Sequence, residues 1–144
     1  MKNSSVISLS TSIIIVNHNT GSILQDCIRS VFTFEKSSGI EIIIIDNYSA
    51  DYSKEIITKL SAEYNNVKYE FTNSLISFSA ANNIGIKQAS GEYLLIMNPD
   101  IIFTEPVFEK LIADLKNDVS IGAISPALVG TDGYFQRNYF QRYP

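Results

Sequence analysis

The chain of 144 residues holds one cysteine, Cys27, one histidine, His18, and no tryptophan. A single thiol excludes an internal disulfide, so packing and hydrogen bonds alone must hold the fold, as is usual in a reducing compartment. Cys27 sits in the apolar helical pattern "ILQDCIRSVF" and reads as a small core residue rather than a nucleophile. One histidine excludes a multi-histidine metal site. Positive charge is also short: 11 Lys and Arg against 15 Asp and Glu give a net charge of −4. That balance argues against nucleic acid, whose phosphates demand a basic surface, and leaves no basic patch for anionic lipid. Long apolar runs are missing as well. "SIIIV" and "IEIIIID" are far too short to span a bilayer, and "MKNSSVISLS" is a polar lead-in with too little apolar sequence for a signal peptide. The expectation is a cytoplasmic protein, with membrane association left to a longer parent. Glycine is sparse where phosphate-binding loops need it: only Gly21 follows the first apolar run, so Gly-x-Gly-x-x-Gly is absent there, as is the phosphate loop of NTPases.

What the chain does have is alternation. Apolar residues make up 45%, and eight tyrosines and eight phenylalanines supply bulk for one domain-sized core. Short β-branched runs occur at Ser12–Val16, Ile40–Ile45, Val67–Phe71 and Tyr93–Met97, with a weaker one at Ile121–Ser125. Between them, apolar residues recur at helical steps: Leu24, Cys27, Ile28 and Val31; Ile56, Ile57, Leu60 and Tyr64; Phe78, Ala81 and Gly85; Phe108, Leu111, Ile112 and Leu115. Helix-start signals precede them at Thr20, at Ser49 or Asp51, at Ser77, and at Thr104 before Glu105-Pro106. Strand–helix alternation predicts an α/β fold: a mostly parallel central sheet with helices on both faces. The runs "IIIV" and "IIIII" are apolar on both sides of the pleat, as central parallel strands are. Residues 1–10 read as a flexible lead, 11–144 as one domain. The tail "GTDGYFQRNYFQRYP" carries a Thr-Asp-Gly turn and then loses period.

Ligands of open α/β sheets bind beyond the carboxyl ends of the strands. The first strand is followed by Asn17-His18-Asn19, the second by Asp46-Asn47-Tyr48-Ser49-Ala50-Asp51, the third by Thr72-Asn73-Ser74 and the fourth by Asn98-Pro99-Asp100. Parallel strands bring all four to one edge. Each also has a structural reading: a turn at Asn17-His18-Asn19, helix caps at Asp46 and Asp51, a strand-end turn at Asp100. Asn82 and Asn83 stand in a helical stretch where asparagine is unfavourable, and buried amides there need partners. Pro99 favours an extended Asn98, which would aim Asn98 and Asp100 to one side. One carboxylate and one amide oxygen suit Mg²⁺ or Mn²⁺ that completes its shell with phosphate and water.

The segments "TSIIIVNHN", "IEIIIIDNYSADYS", "SFSAANNIGI", "ASGEYLLIMNPDI" and "FEKLIADLKNDVSIGAISPAL" occur in the order seen in bacterial family 2 glycosyltransferases. From Thr11 to Pro144 the chain resembles the rhamnosyltransferase-like members. The resemblance implies a GT-A fold and sugar transfer, with inversion, from a nucleotide-sugar donor, UDP- or dTDP-linked, to a hydroxyl of a glycan or lipid-linked acceptor. Cell-surface polysaccharide synthesis is the implied setting. It implies that Val16, Asn17, His18 and Asn19 lie against base and ribose, with His18 where the family more usually has Tyr. It places Asp46 on the nucleoside beside Asn47, and Asn82 and Asn83 beside the donor site. Asn98-Pro99-Asp100 matches the family's Asp-x-Asp, so Asp100 would reach the metal, Mg or Mn, and the donor diphosphate.

Two departures stand out. Ser77 replaces the Gly usual before Phe78, and Asn73–Ile76 does not align cleanly. The sequence stops at "QRYP", before the segment that carries the family's catalytic base and acceptor contacts, so that base is expected beyond Pro144 and is assigned to no residue here. The alternative is a non-catalytic nucleotide-sugar-binding or interaction module, with self-association through apolar surface left bare.

Overall fold

In the computed structural model, residues 11–36 and 39–136 are described. The lead at 1–10 and the "QRYP" end of the tail lie outside the described residues. The chain divides into two compact units, Met1–Pro106 and Val107–Pro144.

The first unit alternates strand and helix: β1 (Thr11–Asn17), α1 (Gly21–Phe34), β2 (Ile40–Asp46), α2 (Ser53–Glu63), β3 (Val67–Phe71), α3 (Phe78–Gln88) and β4 (Tyr93–Met97). The four strands form one parallel sheet in the order β3-β2-β1-β4. The predicted parallel α/β architecture is therefore the observed one. The strand order reverses between β1 and β4. β1 and β2 pair residue for residue from Thr11↔Ile40 to Asn17↔Asp46, so both strands end at the same level.

Parity explains the two-sided oiliness of these strands. Val16, Ile43 and Ile45 point to one face and pack with Ala81 of α3. Ile13, Ile15, Ile42 and Ile44 point the other way, and all four are fully buried. Right-handed crossovers put α1 and α2 on that second face, where the two helices approach closely: a Cβ on Gly21 would stand 2.9 Å from the Ser53 Cα. Asp51 caps both helices at once. Its Oδ1 accepts the Ser53 amide at 3.0 Å and its Oδ2 the Gly21 amide at 3.3 Å. Burial pushes the Asp51 carboxyl up, but the Ser53 and Gly21 donors win and hold it below its usual range.

The predicted helix starts need correction. Ser77 caps α3 as expected, accepting the Ala80 amide at 3.2 Å. Thr20 precedes α1 but makes no cap, because its hydroxyl donates to Asn17 Oδ1 at 2.7 Å. Asp51 rather than Ser49 serves α2, since Ser49 is drawn to Asp46.

The amino end of the sheet has its own polar fastening. Glu41, near the start of "IEIIIID", accepts from Ser12 Oγ at 2.5 Å, Lys68 Nζ at 2.7 Å, and the amide and hydroxyl of Ser90 at 2.7 Å each. Burial raises the Glu41 carboxyl, but these donors, Lys68 foremost, outweigh it and bring it from 4.5 down to about 2. β3 is a charged edge with Lys68 and Glu70. β4 is the other edge among the described residues; it is uncharged, and its Leu94 and Ile96 are half exposed.

The second unit contains α4 (Phe108–Asn117), with Phe108 and Ile112 buried, and a short hairpin of β5 (Leu128–Val129) and β6 (Phe135–Gln136). The predicted Thr-Asp-Gly turn closes that hairpin: Gly133 has φ 81°, and the Tyr134 amide donates to Asp132 Oδ1 at 3.0 Å. No strand forms at Ile121–Ser125. Pro126 follows it without an N–H to extend a ladder. α4 also starts later than predicted, after Val107 rather than at Pro106.

Two outcomes follow from the packing. A Cβ on Gly85 would stand 2.6 Å from Ile14 Cγ2, inside a filled core. Gly85→Ala should therefore destabilise the protein by about 1–3 kcal/mol in urea unfolding, despite alanine's better helix propensity. The depressed Glu41 carboxyl stabilises the fold above the unfolded value of 4.5, and that contribution is lost as pH falls toward 2. Between those values the parent should lose more stability than Glu41→Gln; parallel profiles would contradict the network.

Candidate functional site

The polar edge is organised by the two residues that end β1 and β2. Asn17 Nδ2 donates to Asp46 Oδ1 at 2.8 Å, and both side chains are fully buried. Beyond Asp46 the chain turns through Tyr48, at φ 62°. A bulky residue in the left-handed region carries strain of about 1–3 kcal/mol. The turn returns Ser49 onto the acid: its hydroxyl donates to Oδ1 at 2.6 Å and its amide to Oδ2 at 3.2 Å. The Ser49 hydroxyl also accepts from Asn17 Nδ2 at 3.2 Å and from the Asn19 amide at 2.9 Å. Asn19, at φ 56°, takes the Ala50 amide on its Oδ1 at 2.7 Å. Left-handed geometry is less costly for asparagine than for tyrosine. The loops after β1 and β2 are thus one bonded unit.

His18 is exposed at the top of this unit. Its Nδ1 lies 2.8 Å from the Asn47 carbonyl oxygen, and a carbonyl can only accept, so Nδ1 carries the proton. Nε2 then accepts from Asn19 Nδ2 at 3.1 Å. Asn47 is buried and bonded on both sides of its amide: Nδ2 donates to the Ile76 carbonyl at 2.9 Å, and Oδ1 accepts the Ile76 amide at 3.0 Å. It fixes the loop that did not align with the family pattern. Thr72 is held on the Asp46 carbonyl through its amide at 2.9 Å.

The remaining predicted residues divide between core and rim. Val16 has its side chain in the cluster under α3. Asn82 is 5% exposed; Nδ2 donates to the Phe78 carbonyl at 2.9 Å, while Oδ1 is buried without a hydrogen-bond partner. Asn83 is exposed on α3.

Asn98 and Asp100 are both exposed just past β4, which lies directly beside β1. The extended run expected through Pro99 stops at Asn98; Pro99 and Asp100 form a turn. Beneath it, burial pushes the Cys27 thiol up to about 12, and the Asp100 charge adds to that push, against a smaller lowering from the Ile101 backbone hydrogen bond. Among the described residues no three His, Cys, Asp or Glu side chains converge as a metal cluster. One carboxylate with an amide neighbour fits a hard divalent cation that takes its other ligands from phosphate and water, and does not fit a closed structural metal site.

One residue of this unit, and one at the far end of the sheet, escape a sequence reading. Ser49 lies inside a recognisable pattern but reads as a helix start; its spacing of three from Asp46 is the available signal. Glu41 is signalled only as a charge inside an apolar strand.

The glycosyl transferase family 2 pattern matches residues 12–143. The chain is 30% identical over 116 residues to the poly-beta-1,6-N-acetyl-D-glucosamine synthase of Staphylococcus epidermidis, covering 79% of this chain and 27% of that protein. Among solved structures, S. aureus TarS 1-349 in complex with UDP-GlcNAc matches with a TM-score of 0.65 at 19% identity, over 75% of this chain and 31% of that one. The mannosyltransferase PcManGT from Pyrobaculum calidifontis, in complex with GDP-Man and Mn²⁺, matches with a TM-score of 0.65 at 12% identity, over 78% and 32%. These structural matches show a GT-A fold. The chain spans well under half the length of the curated relatives it matches.

The bonded unit at the edge has a measurable signature. In a double-mutant cycle, Asn17→Ala and Asp46→Ala should couple by about 0.5–3 kcal/mol in unfolding free energy. Additive effects would show that the two residues act separately.

Proposed function

The chain belongs to glycosyl transferase family 2, and on that premise we propose that it forms the donor side of an inverting sugar transfer. A nucleotide sugar, UDP- or dTDP-linked, binds at the carboxyl ends of β1, β2 and β4. The sugar passes to a hydroxyl of a glycan or lipid-linked acceptor in cell-surface polysaccharide synthesis, on the cytoplasmic side. One observation carries this reading: the exposed Asn98-Pro99-Asp100 turn stands where the strand order reverses, beside the Asn17–Asp46 unit. Ligands of open α/β sheets bind at such reversals. The UDP-GlcNAc, GDP-Man and Mn²⁺ complexes of the structural neighbours support the ligand class, and the poly-N-acetylglucosamine synthase supports the polysaccharide setting.

In this reading the nucleoside lies along Val16–Asn19, with Asp46 and Asn47 setting the wall behind it. Asp46 Oδ2 holds a single side-chain-directed bond, from the Ser49 amide, and retains capacity for one more donor. Asn82 and Asn83 border the donor, where the unpartnered Asn82 oxygen can accept from a ligand. Asp100, with Asn98 beside it, would hold Mg²⁺ or Mn²⁺ and the donor diphosphate. When bound there, such a cation would supply Lewis-acid neutralisation of negative charge on the leaving diphosphate. No residue here is assigned as the base that deprotonates the acceptor hydroxyl. The uncharged β4 edge, with Leu94 and Ile96 half exposed, supports self-association or cover by further chain.

Calorimetric titration with UDP, dTDP and GDP, with and without Mn²⁺, tests the assignment. Binding should strengthen with Mn²⁺, and Asp100→Ala should remove about tenfold of that gain, ~1.4 kcal/mol. Asp46→Ala should weaken binding without metal. Affinities indifferent to metal and to Asp100→Ala would overturn the role of Asp100; an unchanged metal-free affinity would return Asp46 to a purely structural role.

A further inference from the structure

The segment between β4 and α4 has no regular structure, yet its Asp100 end must keep a fixed place if it is to meet a diphosphate. Two buried side chains of α1 lie under it. Ser30, 9% exposed, donates its hydroxyl to the Cys27 carbonyl one turn back at 2.7 Å. That bond orients the hydroxyl so that its oxygen accepts the Phe103 amide at 2.9 Å. Cys27, fully buried, has its Sγ 4.0 Å from the Asn98 carbonyl oxygen. It also bonds the Ile101 backbone and feels the charge of Asp100. Residues 98, 101 and 103 are therefore gripped by two α1 side chains three residues apart. The other end of α1 is tied to the nucleoside side, through Thr20 to Asn17 and through Gly21 to Asp51.

We infer that Cys27 and Ser30 are positioning residues that hold the Asn98–Phe103 segment, and with it Asp100, at a set place relative to the loop after β1. α1 is then the rigid spacer between the two parts of the donor site. This inference rests on the reading of Asp100 as the diphosphate–metal contact. Neither side chain touches a ligand; both act through the backbone that carries Asp100. Ser30 serves because a hydroxyl donates and accepts at once, which alanine cannot do.

The test compares the parent chain with Ser30→Ala, Ser30→Thr and Asp100→Ala. Two readouts are taken: amide hydrogen exchange across residues 98–103 without ligand, and UDP affinity with and without Mn²⁺. Ser30→Ala should speed exchange in that segment and cut the Mn²⁺-dependent gain in affinity by about tenfold, the scale of lost outer-shell support, while leaving metal-free affinity unchanged. Ser30→Thr, which keeps the hydroxyl, should restore both. Should Ser30→Ala not fold, Cys27→Ala gives the same comparison from the other contact. A full Mn²⁺ gain in a variant with loosened exchange would overturn the inference. So would equal losses with and without metal, which mark general destabilisation. If Asp100→Ala keeps the parent's gain, the reading of Asp100 itself has failed, and this inference falls with it.

Discussion

The hydrogen bond from Asn17 to Asp46 joins the ends of two central strands in a place that water does not reach. A carboxylate buried without a cationic partner must be satisfied by donors, and here they come from three local sources: Asn17, the Ser49 hydroxyl and the Ser49 amide. Each donor is also bonded elsewhere. Asn17 reaches Thr20, Ser49 reaches Asn19, and the Asp46 carbonyl takes Thr72. Asn47, the next residue, clamps Ile76. One acid and its neighbour therefore set the paths of the loops after β1, β2 and β3. The strained backbone at Tyr48 is a consequence of returning Ser49 to that acid.

The sheet order adds the fourth loop. Because β4 lies on the far side of β1, its exit turn rises next to Asn17 rather than beyond β3. The two polar groups have different characters. The Asp46 side is buried and internally bonded; the Asp100 side is exposed, with a charge turned outward. A ligand with an uncharged, flat end and an anionic end matches that division, which is why the nucleotide-sugar reading accommodates both halves. At the opposite end of the sheet, Glu41 joins β1, β2, β3 and the segment before β4 through Ser12, Lys68 and Ser90. The strands are pinned at both ends, and the candidate site occupies one of them.

Much of this was legible from sequence, for a physical reason. β-branched runs such as "IIIII" have few alternatives to a buried parallel strand, and β1 to β4 fall where they were read. The helices followed from apolar spacing, and Ser77 capped α3 because its partner amide is local. Errors arose where the deciding partner was distant. Thr20 looked like a cap, but Asn17 took its hydroxyl. Asn47 is bonded through its amide to Ile76, 29 positions away, a partner that no local pattern signals. Ile121–Ser125 has strand-like composition but no pairing among the described residues. The family pattern placed Asp46 and Asp100 in one neighbourhood; only the structure shows that α1, through Cys27 and Ser30, connects their loops.

The central claim is that a nucleotide and a divalent cation meet at the reversal between β1 and β4. Amide NMR with UDP and a trace of Mn²⁺ tests this most directly, because a paramagnetic ion broadens signals by proximity. The account predicts selective broadening at residues 98–101 and then at 17–19, dependent on UDP, with the Glu41 end of the sheet spared. Broadening centred on Glu41, or spread evenly over exposed carboxylates and indifferent to UDP, would contradict it.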